Sequence, residues 1–319
     1  MSDAPVRRLL LSEACRERLA DRIAALPGAE RLQWVDPDGA DADWAFVSRD
    51  VTGLSTKHQI LPGTQRFYDV LDRSPGLSWV HVHSAGTDRA YYQGLIARGV
   101  SLSNSRGSNA GVVAQTALAG LLSLARHFPL LQAAQAQRRW QPLLQTGLPA
   151  DLQGQHVTLL GWGPVAQAIA SCLALFGMRL HVLRQRPDAG DCPWPTARFA
   201  DIDALLPGTD WLVLACPLSE QTQGLLDARR LGLLRPGARL INVARGEIVD
   251  EPALVQALQE GRLGGAYLDV FAQEPLPADS PLWDLPNTLI TPHSAGFSAG
   301  NAARVDAVFL ALLAQRLSA

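Results

Sequence analysis

Three residues suited to proton and anion chemistry stand in the last third of the chain, each just past a short apolar run. Arg245 follows Leu240–Val243, Glu274 follows Ala266–Val270, and His293 follows Thr288–Thr291. A guanidinium is a planar, permanently charged partner for a carboxylate. An imidazole exchanges a proton near neutral pH. A carboxylate beside an imidazole favours its charged form and fixes its orientation. An arginine after a strand is ordinarily a surface ion pair, and a lone histidine is ordinarily structural. Here all three fall at the ends of consecutive predicted strands, where open α/β sheets bind their ligands, and this favours an acid–base pair beside an anion site. Small neighbours after His293 (Ser294, Ala295, Gly296) leave room for what it would act on.

A second constellation lies upstream. The run Val157–Leu160 reads as a buried strand and breaks into Gly161-Trp162-Gly163-Pro164-Val165-Ala166. A helical pattern follows through Ile169, Cys172, Leu173 and Phe176, closed by Gly177. Such a turn lets a pyrophosphate approach the backbone and sit against a helix N-terminus, and Pro164 suits that helix's first turn. Ala166 takes the place of a third glycine, which only governs helix–sheet packing. Alone the motif is weak evidence, because an ordinary tight turn of an α/β protein can carry it too.

The elements that would position these groups alternate along the whole chain. In the first hundred residues, strands are expected at Arg8–Leu11, Trp44–Ser48, Trp79–His83 and Val100–Ser103, with helices near 13–26, 65–73 and 89–98. A long apolar helix follows at Asn109–Arg126, and residues 128–150 are less periodic. Six further strands are expected at Val157–Leu160, Leu180–Leu183, Trp211–Ala215, Leu240–Val243, Ala266–Val270 and Thr288–Thr291. Helices are expected near 202–206, 227–234 and 251–260, and a closing helix at 299–317 that could return to the first unit. The fold class is α/β: two Rossmann-like domains with doubly wound parallel sheets and an active-site cleft between them. The proposed division is 1–104 plus 294–319 for substrate and 105–293 for dinucleotide.

Composition narrows the function classes. The chain has 319 residues, 47% of them hydrophobic, and a net charge of −2, which argues against nucleic acid or acidic membranes as partners. It opens on no signal pattern and holds no apolar run of membrane-spanning length, so the cytoplasm is the expected address. Cys15, Cys172, Cys192 and Cys216 are scattered, and the histidines other than His293 show no metal-ligand spacing, so no metal is expected. Lys57 is the only lysine, which disfavours Schiff-base chemistry.

Several stretches together resemble the D-2-hydroxyacid dehydrogenases. These are HSAGTDR (83–89), NAGVVAQTALAGLLSLAR (109–126), the Gly161–Ala166 turn, INVARGEIVDEPAL (241–254), LDVFAQEPLP (268–277) and TPHSAG (291–296). They cover essentially the whole chain in family order, and WQPL (140–143) is most similar to the glyoxylate/hydroxypyruvate reductase branch.

The resemblance implies reduction of a small 2-oxo acid. Arg245 would bind the substrate carboxylate and polarise the carbonyl, His293 would protonate the new alkoxide, and Glu274 would hold the imidazole. The amides of Ala85 and Gly86 would cradle the carboxylate, while Asp88 could simply cap the helix that follows. Gly161, Trp162, Gly163, Pro164 and Val165 would carry the dinucleotide phosphates. Cys216 and Pro217 would line the adenosine side. Val243, Ala244 and Thr116 would face the nicotinamide together with Arg245 and His293, and Asp269 would bond its carboxamide or serve as a structural cap. A homodimer is implied, with Trp140 reaching the partner's site. Gln115, often acidic in the family, and Ala166 are departures.

Cofactor choice can be argued from the residues themselves. Enzymes that use NAD place an acid after the second strand of the dinucleotide unit, to accept from the ribose 2′-hydroxyl. Here Leu180–Leu183 ends in Arg184-Gln185-Arg186, and the first acid is Asp188. Two arginines can pair with a 2′-phosphate, so NADP(H) is expected over NAD(H). The proline-rich segment 187–200 reads as a surface loop with no assigned role. Rival readings keep the same scaffold as a non-catalytic dinucleotide sensor, or as a dehydrogenase of formate, phosphite or a phosphorylated acid.

Overall fold

The computed structural model describes residues 5–35, 39 and 41–318. The chain folds into two compact units. One runs to Ser108 and resumes at Ser298; the other is Asn109–Phe297. The junctions lie four residues beyond those expected. The loop after His293 remains tied to the second unit through Asp269 and Thr116, and the chain leaves that unit only after Phe297.

Unit 1 is a five-stranded parallel sheet built from β1 (Arg7–Leu10), β2 (Leu32–Val35), β3 (Trp44–Val47), β4 (Trp79–Val82) and β5 (Ser101–Asn104), in the order β2-β1-β3-β4-β5. Every residue of β3 and β4 is buried, as expected of strands covered on both faces. The C-terminal helix Asn301–Ser318 packs on this unit. Phe309 stacks on Phe46 at 4.4 Å between ring centroids and lies near Trp79 at 5.9 Å. Burying such a ring contributes about 2–3 kcal/mol, enough to hold the closing helix on the sheet that the chain started with. The edge strand β2 is absent from the sequence-based expectation, because only Val35 of its four residues is buried and it shows no apolar run.

Unit 2 holds seven parallel strands rather than six. They are β6 (His156–Leu160), β7 (Arg179–Leu183), β8 (Thr196–Ala197), β9 (Trp211–Leu214), β10 (Arg239–Asn242), β11 (Gly265–Leu268) and β12 (Thr288–Ile290). Their order is β12-β11-β10-β9-β6-β7-β8, which reverses direction between β6 and β9, the switch point where doubly wound folds bind ligands. The long apolar helix spans Ala110–Ala125 and buries Val113, Ala117, Leu121 and Leu124, the last three in the core that also holds Val157, Ile169 and Tyr267.

Four local expectations are corrected. The segment read as a surface loop, 187–200, contains β8 and packs Cys192 and Trp194 on the core; a strand of two residues is too short to announce itself. Residues 128–150 include the helix Phe128–Ala136, whose single buried residue, Ala134, leaves no apolar stripe. Residues 199–204 form a 3₁₀ helix. Arg89 rather than Asp88 stands at the N-cap of the helix Ala90–Ala97, which has no side-chain cap. Among the described residues no helix is long and apolar enough to cross a membrane, and no cluster of three His, Cys, Asp or Glu could hold a metal.

Candidate active site

The carboxyl ends of β10, β11 and β12 deliver the three chemical residues of unit 2. After β10 the chain turns through Val243, Ala244 and Arg245. Asn242, 1% exposed, braces this turn at both ends. Its Oδ1 accepts from the Ala244 amide at 3.0 Å, and its Nδ2 donates to the Arg245 carbonyl at 3.0 Å. The half-buried Arg245 guanidinium donates from Nη1 to Ala244 O at 2.7 Å. Gly246 follows with its backbone pressed on the chain after β11. A Cβ there would stand 1.9 Å from the Phe271 carbonyl carbon, so no larger residue fits.

Past β11, Glu274 is 8% exposed and its two oxygens are divided between tasks. Oε1 accepts from the Phe271 amide at 3.1 Å, and Oε2 lies 2.7 Å from His293 Nδ1. An ionised carboxylate only accepts, so the shared proton belongs to Nδ1 and Nε2 is the nitrogen left to exchange one. The His293 side chain is half exposed, as a proton donor to a ligand must be.

The loop carrying His293 is shaped by Asp269, which is 3% exposed. Asp269 Oδ1 accepts from the Ser294 amide at 2.8 Å, the Ala295 amide at 3.0 Å and Thr291 Oγ1 at 2.6 Å. Its main-chain carbonyl accepts from the His293 amide at 2.8 Å. Burial pushes the Asp269 carboxyl up, while the Thr291 hydroxyl and the Ser294 amide pull it down. Tyr267 Oη lies 2.7 Å from Thr291 Oγ1, and burial raises its phenol to about 12, so it stays protonated. From the helix Ala110–Ala125, Thr116 Oγ1 donates to Ala295 O at 3.1 Å. Asn242, Thr291 and Tyr267 were not singled out from the sequence. The bonds of Thr291 and Tyr267 join residues far apart in the chain, whereas Asn242 bonds within its own turn, where a polar residue closing an apolar strand is the local signal.

At the same carboxyl edge of the sheet, two strands from β10, the glycine turn leads from β6 into the helix Pro164–Leu175, with Gly163 at the N-cap and Pro164 first. Gly161 has φ +104°, and a Cβ on it would meet Ala215 O at 2.6 Å. The turn thus presents bare backbone and uncapped helix amides beside Cys216 and Pro217, a cradle that fits a dinucleotide pyrophosphate. Cys216 is buried, which raises its thiol to about 12 and leaves it inert. Beyond β7, Arg184 is paired with Asp191, while Gln185 and Arg186 are exposed. Trp162, half buried, meets Trp194 edge-on at 5.5 Å.

In unit 1, Ala85 and Gly86 lie on the turn past β4, where Ser84 Oγ donates to Gly86 O at 2.8 Å. His81 is fully buried between two hydroxyls, with Ser103 Oγ 2.9 Å from Nδ1 and Ser105 Oγ 3.0 Å from Nε2. It is a structural group. Trp140 stands 95% exposed in unit 2, with Leu144 and Leu148 also exposed nearby in the chain.

Doubly wound sheet, glycine cradle, and an imidazole–carboxylate pair past adjacent strands define a dinucleotide-dependent oxidoreductase. Residues 118–295, more than half the chain, match the model of the D-isomer specific 2-hydroxyacid dehydrogenase NAD binding domain. A glyoxylate/hydroxypyruvate reductase B of Pectobacterium carotovorum is 35% identical, covering 78% of this chain and 79% of its own. A glyoxylate reductase of Thermofilum pendens is 33% identical, covering 71% and 68%. Among solved structures, an NADPH-dependent glyoxylate/hydroxypyruvate reductase of Sinorhizobium meliloti, in complex with NADP and malonate, is 28% identical with a TM-score of 0.73, covering 96% and 92%. A D-isomer specific 2-hydroxyacid dehydrogenase of Xanthobacter autotrophicus, in complex with NADPH and MES, is 28% identical with a TM-score of 0.74, covering 99% and 95%. The chain belongs to the D-isomer specific 2-hydroxyacid dehydrogenase family. It is accordingly an enzyme that interconverts 2-oxo and 2-hydroxy acids with a nicotinamide dinucleotide.

Proposed function

We propose that this chain is an NADPH-preferring reductase of small 2-oxo acids of the glyoxylate and hydroxypyruvate type, giving the D-2-hydroxy acid. The observation that carries the reading is the His293–Glu274 pair at 2.7 Å, one carboxylate oxygen committed to the ring and the other to the backbone. The dinucleotide, when bound, supplies the hydride. The chain's own residues do the rest. The Ala85 and Gly86 amides and the Arg245 guanidinium take the substrate carboxylate, and Arg245 also polarises the carbonyl. His293 Nε2 gives its proton to the carbonyl oxygen, and Glu274 balances the imidazolium charge. Val243, Ala244 and Thr116 border the nicotinamide, and Asp269 Oδ2, with a single protein donor at 3.1 Å, has acceptor capacity left for the carboxamide. Arg184 and Arg186 stand for the 2′-phosphate. The relatives named above support both the substrate class and the cofactor.

The same reading includes a homodimer in which Trp140 enters the partner's substrate site. The near-complete exposure of Trp140, with Leu144 and Leu148 exposed nearby in the chain, supports it, since a group of exposed apolar side chains marks an interaction surface where a single one does not. Trp140→Ala should then alter selectivity among 2-oxo acids more than cofactor affinity, and unchanged selectivity would discard it.

The direct experiment follows NADPH and NADH oxidation against glyoxylate, hydroxypyruvate, pyruvate and phenylpyruvate. Turnover with NADPH well above NADH, best with glyoxylate and hydroxypyruvate, is the expected result. Comparable rates with both cofactors keep the reductase and remove the phosphate preference. No oxidation with any acid, while NADPH still binds, leaves a dinucleotide sensor.

A further inference from the structure

The sequence shows no acid directly after β7, yet folding supplies one. The segment past β7 curls back so that Asp191, seven residues on, meets Arg184 with both carboxylate oxygens. Asp191 Oδ1 pairs with Nη1, and Oδ2 lies 3.4 Å from Nη2. The segment is fixed rather than loose. Trp162 Nε1 donates to Asp191 O at 3.2 Å, Trp162 meets Trp194 edge-on, and Thr196 Oγ1 donates to Pro187 O at 2.9 Å. The Arg184 amide donates to Ala197 O at 2.9 Å, extending the β7–β8 ladder. A carboxylate therefore stands beside the one position of this fold where it decides between a ribose hydroxyl and a ribose phosphate.

We infer that Asp191 is the residue that sets the NADPH-to-NADH ratio, acting through Arg184. This rests on the reading of Arg184 and Arg186 as the 2′-phosphate partners. Only 14% of the Arg184 side chain is exposed against 54% for Asp191, so the pair sits at a rim with its carboxylate in water. Exposed ion pairs are weak, and a dianionic phosphate can displace this one. The arginine nevertheless already has a counter-charge, and the carboxylate repels the incoming phosphate. Asp191 thus tempers the preference for NADPH and keeps NADH usable, while Arg186 contributes an exposed charge of its own. Asp191 is a positioning residue of the cofactor site and takes no part in the proton transfer.

The test uses the whole protein and two probes that need no turnover, adenosine 2′,5′-bisphosphate and adenosine 5′-monophosphate, titrated by calorimetry. Asp191→Asn should tighten the bisphosphate about fivefold and leave the monophosphate unchanged, the size expected from removing one solvated negative charge beside a phosphate. The ratio of kcat/KM for NADPH over NADH should rise by the same factor. Asp191→Glu, which keeps the charge, should stay within about twofold of the native protein. Weaker bisphosphate binding in Asp191→Asn, no change, or equal changes for both probes would overturn the inference, the last because it reports only a disturbed loop. The underlying phosphate reading fails separately, if Arg186→Ala does not weaken the bisphosphate and the native protein binds it no better than the monophosphate.

Discussion

Asp269 holds His293 from below through backbone and neighbours together: its carbonyl accepts the His293 amide at 2.8 Å, and its carboxylate takes the next two amides. The imidazole is thereby placed from the end of the neighbouring strand, and Glu274 Oε2, 2.7 Å from Nδ1, completes the arrangement. His293 itself has φ +50°, a left-handed conformation that a side chain other than glycine adopts at a cost of about 1 kcal/mol. The Asp269 bonds offset that cost.

Replacing Asp269 by Asn tests this dependence. Asn can keep its Oδ1 on the Ser294 and Ala295 amides and Thr291 Oγ1, but its Nδ2 then faces the Ala295 amide, which lies 3.1 Å from Oδ2 in the native protein, donor against donor in a buried site. The loss should be about 1–3 kcal/mol of stability. With the loop loosened, kcat should fall about tenfold or more. Denaturant unfolding together with steady-state kinetics would check both, and an unchanged kcat in a destabilised protein would show that the loop does not aim the ring.

In the proposed reaction Arg245 and Glu274 should make separable contributions. Arg245→Lys keeps a charge but loses the planar fork, so kcat/KM for the 2-oxo acid should fall about 100-fold with KM for the dinucleotide little changed. Glu274→Gln keeps the bond to the Phe271 amide and removes the charge facing His293. Its reduction rate should fall about 10- to 100-fold. Equal losses in cofactor affinity in either variant would point to a collapsed site instead.

The glycine cradle gives a third prediction. Gly161→Ala forces a side chain onto φ +104° and sets its Cβ 2.6 Å from Ala215 O. The turn must shift, so affinity for adenosine 5′-monophosphate or NADPH should drop at least about tenfold even where the protein stays folded. Calorimetric titration of the folded variant reads this directly; native affinity would mean that the turn does not contact the phosphates.

Much of this architecture is legible in the chain because the signals are local. The strands β6, β7 and β9 to β12 announce themselves as apolar runs, and the glycine motif Gly161–Ala166 is contiguous. Arg245, Glu274 and His293 stand out because each follows such a run. What supports them is less legible, since Thr291 and Tyr267 act through hydrogen bonds whose meaning appears only when β11 and β12 lie side by side, and Asn242 acts within the turn after β10. The Arg184–Asp191 pair is hidden for a related reason. It depends on a return by β8, two residues long, that no periodicity reveals.

Unit 1 carries its own prediction, through His81. Burial lowers this imidazole to about 4, so the native state keeps it neutral between Ser103 and Ser105. The unfolded chain takes up its proton near pH 6.5. Below that pH the unfolded state binds more protons than the native one, so stability falls as pH drops from about 6.5 and the loss is complete near 4. The shift corresponds to about 3 kcal/mol. Burial and the nearby Arg49 and Arg89 lower the half-buried His83 to about 3, which acts in the same direction. Urea unfolding at pH 7 and pH 4.5 should show the native protein losing more stability than His81→Gln, whose amide has no proton to gain. Parallel losses in the two proteins would assign the acid sensitivity to other groups.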